Sequence, residues 1–229
     1  MPGIIPSMAT LPAFPDNAGT VLLPGPAGAL EVAVDPPEAG VEALPLVAIV
    51  CHPLPTEGGT MHNKVVTMAA RALRELGATT VRFNFRGTGN SEGEFDQGEG
   101  ELDDLRAVAA WVRASRPDDV LWLAGFSFGA YVSLRAAAEL GPALLVSIAP
   151  PAGRWDFDVI TLPTMPWLVI QGEADEIVDP QAVYDWLEQT RAQAELVRMP
   201  DTSHFFHRKL IDLRGAIKHG VRAYLPEAR

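Results

Sequence analysis

A single cysteine, Cys51, stands among 229 residues. No intrachain disulfide can therefore staple the fold, and nothing points to an oxidising compartment. Basic side chains are also scarce: 18 lysines and arginines face 29 aspartates and glutamates, a net charge of −11 at neutral pH. A surface of that sign repels phosphate backbones and anionic lipid, which argues against nucleic-acid and membrane partners. Long apolar runs are missing too. Pro2, Pro6, Pro12 and Pro15 interrupt the N-terminal stretch, which has no basic cluster and does not read as a secretory signal. No segment approaches the roughly 18 apolar residues of a membrane span. The cytoplasm is the default expectation. There is no internal repeat and no low-complexity tract.

What the chain does have is an ordinary globular composition, 48% hydrophobic and 21% charged, enough for one sizeable core. Residues 1–18 are Pro-rich and aperiodic and read as a loosely ordered arm; residues 19–229 read as a single domain. Thr20 to Leu23 and Ala29 to Val34 are extended runs around a Pro/Gly turn, a hairpin signal. From Leu46 onward, short apolar runs alternate with helical periodicity. The strands expected are Leu46 to Val50, Thr79 to Phe83, Val120 to Ala124, Ala143 to Ile148, Trp167 to Ile170 and Ala194 to Met199. A helix is expected with an acidic first turn at Glu101, Asp103 and Asp104, and a closing helix over Phe206 to Ala223. Apolar strands that do not alternate, separated by helices, predict an α/β fold: a mostly parallel sheet with helices on both faces. About eighteen residues separate the Ala143–Ile148 and Trp167 strands, too few for a cap domain, so the site should be open.

The chemistry gathers around Leu121-Trp122-Leu123-Ala124-Gly125-Phe126-Ser127-Phe128-Gly129-Ala130. A strand turning at once into a helix lifts its corner serine into a site, and the glycines two residues either side leave room for the close backbone approach. A serine hydroxyl needs a base within hydrogen-bond reach and a third group to hold that base. In parallel sheets, such partners lie beyond the carboxyl ends of strands. His204 follows the strand ending at Met199 and is the expected base, ahead of His207, which the periodicity places in the closing helix. Asp175 follows the strand ending at Ile170 and is the expected acid. Asp179 serves as a helix cap before Pro180, while Glu173 and Glu176 read as solvated. The order Ser127, Asp175, His204 is one of the known triad orders.

Two backbone donors should complete the site: the N–H of Phe128, next to the serine, and that of Leu54 in Cys51-His52-Pro53-Leu54-Pro55. Proline has no N–H, so Leu54 is the only donor of that Pro-Leu-Pro run, and a stiff one. His52 is expected to brace this loop and Cys51 to be a small buried residue. Phe83 to Gly93 looks superficially like a phosphate loop but lacks the Gly-Lys-Ser/Thr ending. Arg86 in it is expected to pair with a nearby carboxylate or carbonyl. No metal or cofactor site is expected: His52 has no second ligand at a usual spacing.

With these residues in hand, the chain resembles the α/β-hydrolase superfamily over nearly its whole length. More narrowly, it is similar to small lidless bacterial members related to dienelactone hydrolases and serine aminopeptidase-like hydrolases. The carrying segments are His52-Pro53-Leu54-Pro55 with Gly58-Gly59-Thr60-Met61, Arg86-Gly87-x-Gly89-x-Ser91, Gly125-Phe126-Ser127-Phe128-Gly129, Gly172-x-x-Asp175-x-x-Val178 and Asp201-x-x-His204-Phe205-Phe206. The resemblance implies a largely parallel sheet of about eight strands without a cap domain, and a triad on Ser127, Asp175 and His204. Two departures stand out: Pro53 takes the place of a glycine in the oxyanion loop, and the elbow carries serine where dienelactone hydrolases carry cysteine. The expected activity is hydrolysis of a small-molecule carboxylic ester or thioester without cofactor, with a serine peptidase as the nearest enzymatic neighbour. The alternative from another class is a catalytically silent scaffold that binds a small molecule or a protein. The sequence is silent on oligomeric state.

Overall fold

The computed structural model describes residues 11–228. The expected arm over 1–18 thus falls mostly outside the described residues. Within residues 11–18 there is no helix or strand, but the Phe14 ring lies 5.0 Å from that of Trp111, whose indole N–H donates to the Pro12 carbonyl at 2.9 Å.

The expected hairpin is present. β1 (Gly19–Gly25) and β2 (Gly28–Asp35) pair antiparallel and turn at Pro26-Ala27. Then come β3 (Leu46–Cys51), α1 (Lys64–Arg74), β4 (Thr79–Phe83), α2 (Glu99–Ser115), β5 (Val120–Phe126) and α3 (Phe128–Leu140). The chain continues through β6 (Leu144–Ile148), β7 (Trp167–Gly172), α4 (Pro180–Gln189), β8 (Glu195–Met199) and α5 (Leu210–Val221). One sheet holds all eight strands, ordered β1-β2-β4-β3-β5-β6-β7-β8. β2 meets β4 antiparallel, and every pairing from β4 to β8 is parallel.

The unbroken apolar runs follow from burial on both sides. In β3, Leu46, Ala48 and Val50 enter a core shared with α1 and α5, while Val47, Ile49 and Cys51 enter a second core with α2 and α3. The chain crosses from β3 to β4 on one side and then returns to β5 on the other. That reversal leaves a crevice beyond the carboxyl ends of β3 and β5, the place where open α/β sheets bind ligands. Residues 149–166 carry one isolated bridge, Ala152 with Trp155, and no cap domain covers the crevice.

Two elements differ from expectation. α2 starts at Glu99, and Glu101 serves as a cap: its carboxylate accepts the N–H groups of Asp96 and Gly98 at 2.8 and 2.7 Å. Asp104 is fully buried and grips the Arg86 guanidinium at 2.9–3.2 Å while accepting the Arg86 main-chain N–H at 2.9 Å. Glu101 and Asp104 are thus occupied in holding the loop after β4, while Asp103 faces solvent and pairs with Arg106. The closing helix begins at Leu210, not Phe206, because Phe206 and Arg208 have φ of 54° and 59°, outside the helical region. His207 therefore lies in the loop before α5.

The Arg86–Asp104 pair gives the first test. Asp104→Ala leaves a guanidinium that is 11% exposed without its counter-charge. The expected cost is about 3–5 kcal/mol, read from urea unfolding followed by tryptophan fluorescence. A loss under about 1 kcal/mol, in the range of surface ion pairs, would show that the pair does not anchor this loop.

Candidate active site

One residue separates β5 from α3, and that residue is Ser127, with φ 52° and ψ −117°. This conformation is costly for a non-glycine residue and persists only where its surroundings impose it. Here they do. The Ser127 N–H donates to the Ile148 carbonyl at 2.8 Å, and its own carbonyl accepts from Tyr131. A methyl group on Gly125 would overlap the Gly129 carbonyl, and one on Gly129 would overlap the carbonyls of Cys51 and His52. The two glycines of the elbow are therefore spatial requirements, and they press the first turn of α3 against the carboxyl end of β3.

Ser127, Asp175 and His204 come together in one hydrogen-bonded line. His204 Nε2 lies 3.1 Å from Ser127 Oγ, and His204 Nδ1 lies 2.8 Å from Asp175 Oδ2. A carboxylate only accepts, so Nδ1 carries the proton, and Nε2 is left to take one from the serine hydroxyl. Burial alone would push the Asp175 carboxyl up. His204 and the N–H groups of Val178 and Ile177, which donate to Oδ1, outweigh that and hold it below its ordinary value. The Gln171 side-chain amide donates to Oδ2 as well, at 3.0 Å. The His204 ring lies against Phe126 and Phe205, 5.1 and 5.0 Å between centroids.

Leu54 and Phe128, the two expected main-chain donors, both line the cleft in front of Ser127. Neither N–H is taken by an acceptor among the described residues. Leu54 is held from behind by His52. The buried His52 ring contacts the Pro53 carbonyl through Nδ1 at 2.7 Å and accepts the Phe85 N–H through Nε2 at 3.0 Å. Because Nε2 accepts, the proton sits on Nδ1 and the ring is neutral. Burial pushes its pKa down to about 4, against the Pro53 carbonyl, which favours the charged form. Cys51 is fully buried, and burial pushes its thiol well above the usual range.

The cleft encloses about 700 Å³, with Leu54, Gly58, Trp155, Arg154, Ile177 and Phe205 around the Ser127 hydroxyl. The sequence reading missed two supports. Glu176 is exposed yet not merely solvated: its carboxylate accepts the His204 main-chain N–H at 3.1 Å. Asn84 accepts the Met61 N–H at 2.9 Å and donates to Glu31 at 2.8 Å, which ties the Gly58-Gly59-Thr60-Met61 stretch to the loop after β4. Adjacency to Asp175 was the one available signal for Glu176. Asn84 had none beyond its place at a strand end.

The family model for X-Pro dipeptidyl-peptidase (S15 family) matches residues 30–163, more than half of the chain. The chain belongs to this family of α/β hydrolases. An uncharacterized protein of Rickettsia prowazekii is 32% identical over 182 residues, spanning 75% of this chain and 76% of that protein. Among solved structures, an α/β serine hydrolase without a lid from Xanthomonas campestris is 71% identical. It covers 95% of this chain and 100% of its own, with a TM-score of 0.92. An α/β serine hydrolase homologue from Coxiella burnetii is 44% identical, covers 91% of this chain and 100% of its own, and has a TM-score of 0.87. A small lidless α/β hydrolase is thus the established frame. No helix among the described residues is long and apolar enough to cross a membrane.

The buried imidazole of this hydrolase gives a signed prediction. A histidine whose folded pKa is near 4 against an ordinary 6.5 stabilises the fold fully above about pH 6.5. That contribution is lost as pH falls through this window toward 4, by about 3 kcal/mol in all. Urea midpoints between pH 7 and pH 4.5 should fall less steeply in His52→Gln than in the unmodified protein. Equal slopes would rule out His52 as the titrating group.

Proposed function

We propose that this protein is a serine hydrolase of small carboxylic esters or thioesters, working through an acyl-enzyme on Ser127. The observation that carries the reading is the serine–histidine–aspartate line, ending at a hydroxyl that faces an open cleft. Ser127 Oγ attacks the acyl carbonyl while His204 Nε2 takes its proton. Asp175 keeps the imidazole in the tautomer this needs and offsets the charge of the imidazolium. The N–H groups of Leu54 and Phe128 receive the oxyanion. His204 then returns the proton to the leaving oxygen or sulfur, and a water activated by the same imidazole releases the acid.

Peptide hydrolysis by the same steps is the second reading, and the S15 match is what favours it. Glu57 and Glu176 at the cleft could receive a substrate ammonium group. The lidless architecture of the 71% identical neighbour fits an open small-ester site at least as well. A silent scaffold is the weakest alternative, since no member of the line is missing.

A fluorophosphonate reports the outcome directly. Intact-mass spectrometry should find one adduct per chain on the unmodified protein, none on Ser127→Ala and slow labelling of His204→Ala. Turnover of the best substrate from a panel of p-nitrophenyl esters, acyl thioesters and Xaa-Pro p-nitroanilides should fall roughly 10⁴-fold in Asp175→Asn. A folded protein that takes no label would sink the hydrolase reading. Turnover of the Xaa-Pro amides above the esters would replace the ester reading with the peptidase one.

A further inference from the structure

Beside the main cleft lies a second cavity of about 370 Å³, and its walls have a composition at odds with the rest of the molecule. Lys64, His207 and Arg208 line it, together with Asn63 and Phe205, and no aspartate or glutamate does. In a chain with 29 acidic residues against 18 basic ones, lysines and arginines are usually matched by carboxylates. Arg71, Arg106, Arg135, Arg214 and Lys218 all are. Neither Lys64 nor Arg208 forms an ion pair among the described residues, and nor does His207. All three are exposed.

The two cavities are neighbours: Asn63 and Phe205 line both. Phe205 is the residue after His204, and its ring stands edge-on to the imidazole, 5.0 Å between centroids. The second cavity therefore adjoins the main cleft along Phe205 and Asn63, next to the imidazole. In acyl transfer, the atom that departs must come within hydrogen-bond reach of that imidazole to be protonated. A substituent carried on the leaving group is thus directed toward Phe205 and what lies beyond it. Of the main-chain donors at the start of α1, those of Val65 and Val66 are already taken by the Asn63 side chain. Recognition in this cavity falls mainly to the side chains.

We infer that the cavity beyond Phe205 receives a phosphate-type dianion borne on the leaving group of the substrate, held by Lys64 and Arg208 with His207 beside them. A single carboxylate is satisfied by one forked guanidinium, whereas an ammonium, a guanidinium and an imidazole with no acid among them suit a group with two charges and three acceptor oxygens. The sign of the molecule sharpens the point. At −11, the long-range field of the protein opposes an approaching dianion, so only cations within a Debye length can make one welcome. The inference rests on the serine-hydrolase reading, and its test separates the two.

The probes are S-acetyl mercaptoalkyl phosphates with two to six methylenes, each beside the S-acetyl mercaptoalkanol and the S-acetyl mercaptoalkanoate of the same length. At low ionic strength, the best phosphate should exceed its neutral counterpart in kcat/KM by roughly 10-fold, mostly through KM, with the ratio shrinking as salt is added. Lys64→Gln should cut that ratio by roughly 3-fold and Lys64→Gln/Arg208→Gln should bring it to one or below. Fluorophosphonate labelling and circular dichroism of the variants check that the fold and the Ser127 site remain assembled. Phosphates that react no faster than alkanols at every length, on a protein that takes the fluorophosphonate, overturn this inference and leave the hydrolase reading standing. A ratio that survives the double substitution overturns it as well, and carboxylates that match the phosphates overturn the dianion. A protein that takes no label fails both.

Discussion

The close approach of α3 to the carboxyl end of β3 is the constraint on which the rest of the site depends. β3 and β5 run parallel with Cys51 opposite Gly125, so the two strands end side by side. The chain then turns at Ser127 with no room for a side-chain carbon at Gly125 or Gly129. Because the helix sits this tightly on the Cys51 and His52 carbonyls, Phe128 and Leu54 line the same cleft. A looser elbow would lower the strain at Ser127, but it would also separate these two residues. The strain of the φ 52° backbone is thus the counterpart of the geometry that the cleft requires.

Two buried histidines show how partners, rather than residue type, decide what an imidazole can do. His52 and His204 are both almost fully enclosed, and both carry their proton on Nδ1. His52 gives that proton toward a neutral carbonyl and spends its Nε2 on a main-chain N–H, so every position on its ring is committed to structure. His204 faces a carboxylate on one side and a hydroxyl on the other. The carboxylate fixes the ring's tautomer, and the hydroxyl offers a proton that can move. The first imidazole holds the loop that presents Leu54; the second is the one equipped to transfer a proton.

The parts of this arrangement that were readable in the sequence are those governed by local rules. Apolar runs marked β3, β5, β6 and β7 because each is covered on both faces. Gly125 and Gly129 marked the elbow because the space they leave is set by residues within a few positions. Asp175 and His204 were legible from their placement just after strands. What escaped was set by partners distant in sequence or by backbone angles that composition does not forecast. Glu176 meets His204 across 28 positions, and Asn84 meets Met61 across 23. Asp104 looked like a dipole-facing acid because Arg86 lies 18 residues before it and in a different element. His207 looked helical because nothing in Phe206 or Arg208 announces a left-handed backbone, a conformation that residues of this kind adopt only under tertiary constraint.

Openness bears on how such a site can work. Residues 149–166 are too short to cover the cleft, so bulk water reaches the neighbourhood of Ser127 and expulsion of solvent contributes little to any chemistry there. For the proposed reaction, this shifts the burden onto donors fixed before substrate arrives. The Pro53-Leu54-Pro55 run suits that demand: both neighbours of Leu54 have restricted φ, and His52 ties the preceding carbonyl to the loop after β4. The His204 loop is fixed by comparable means, through Glu176 on its main chain, Asp175 on its ring and left-handed residues at Asp201 and Phe206 on either side. A lidless hydrolase of this kind trades water exclusion for rigidity. Selectivity must then come from the side chains that stand at the rim, because residues 149–166 fold no cap over it.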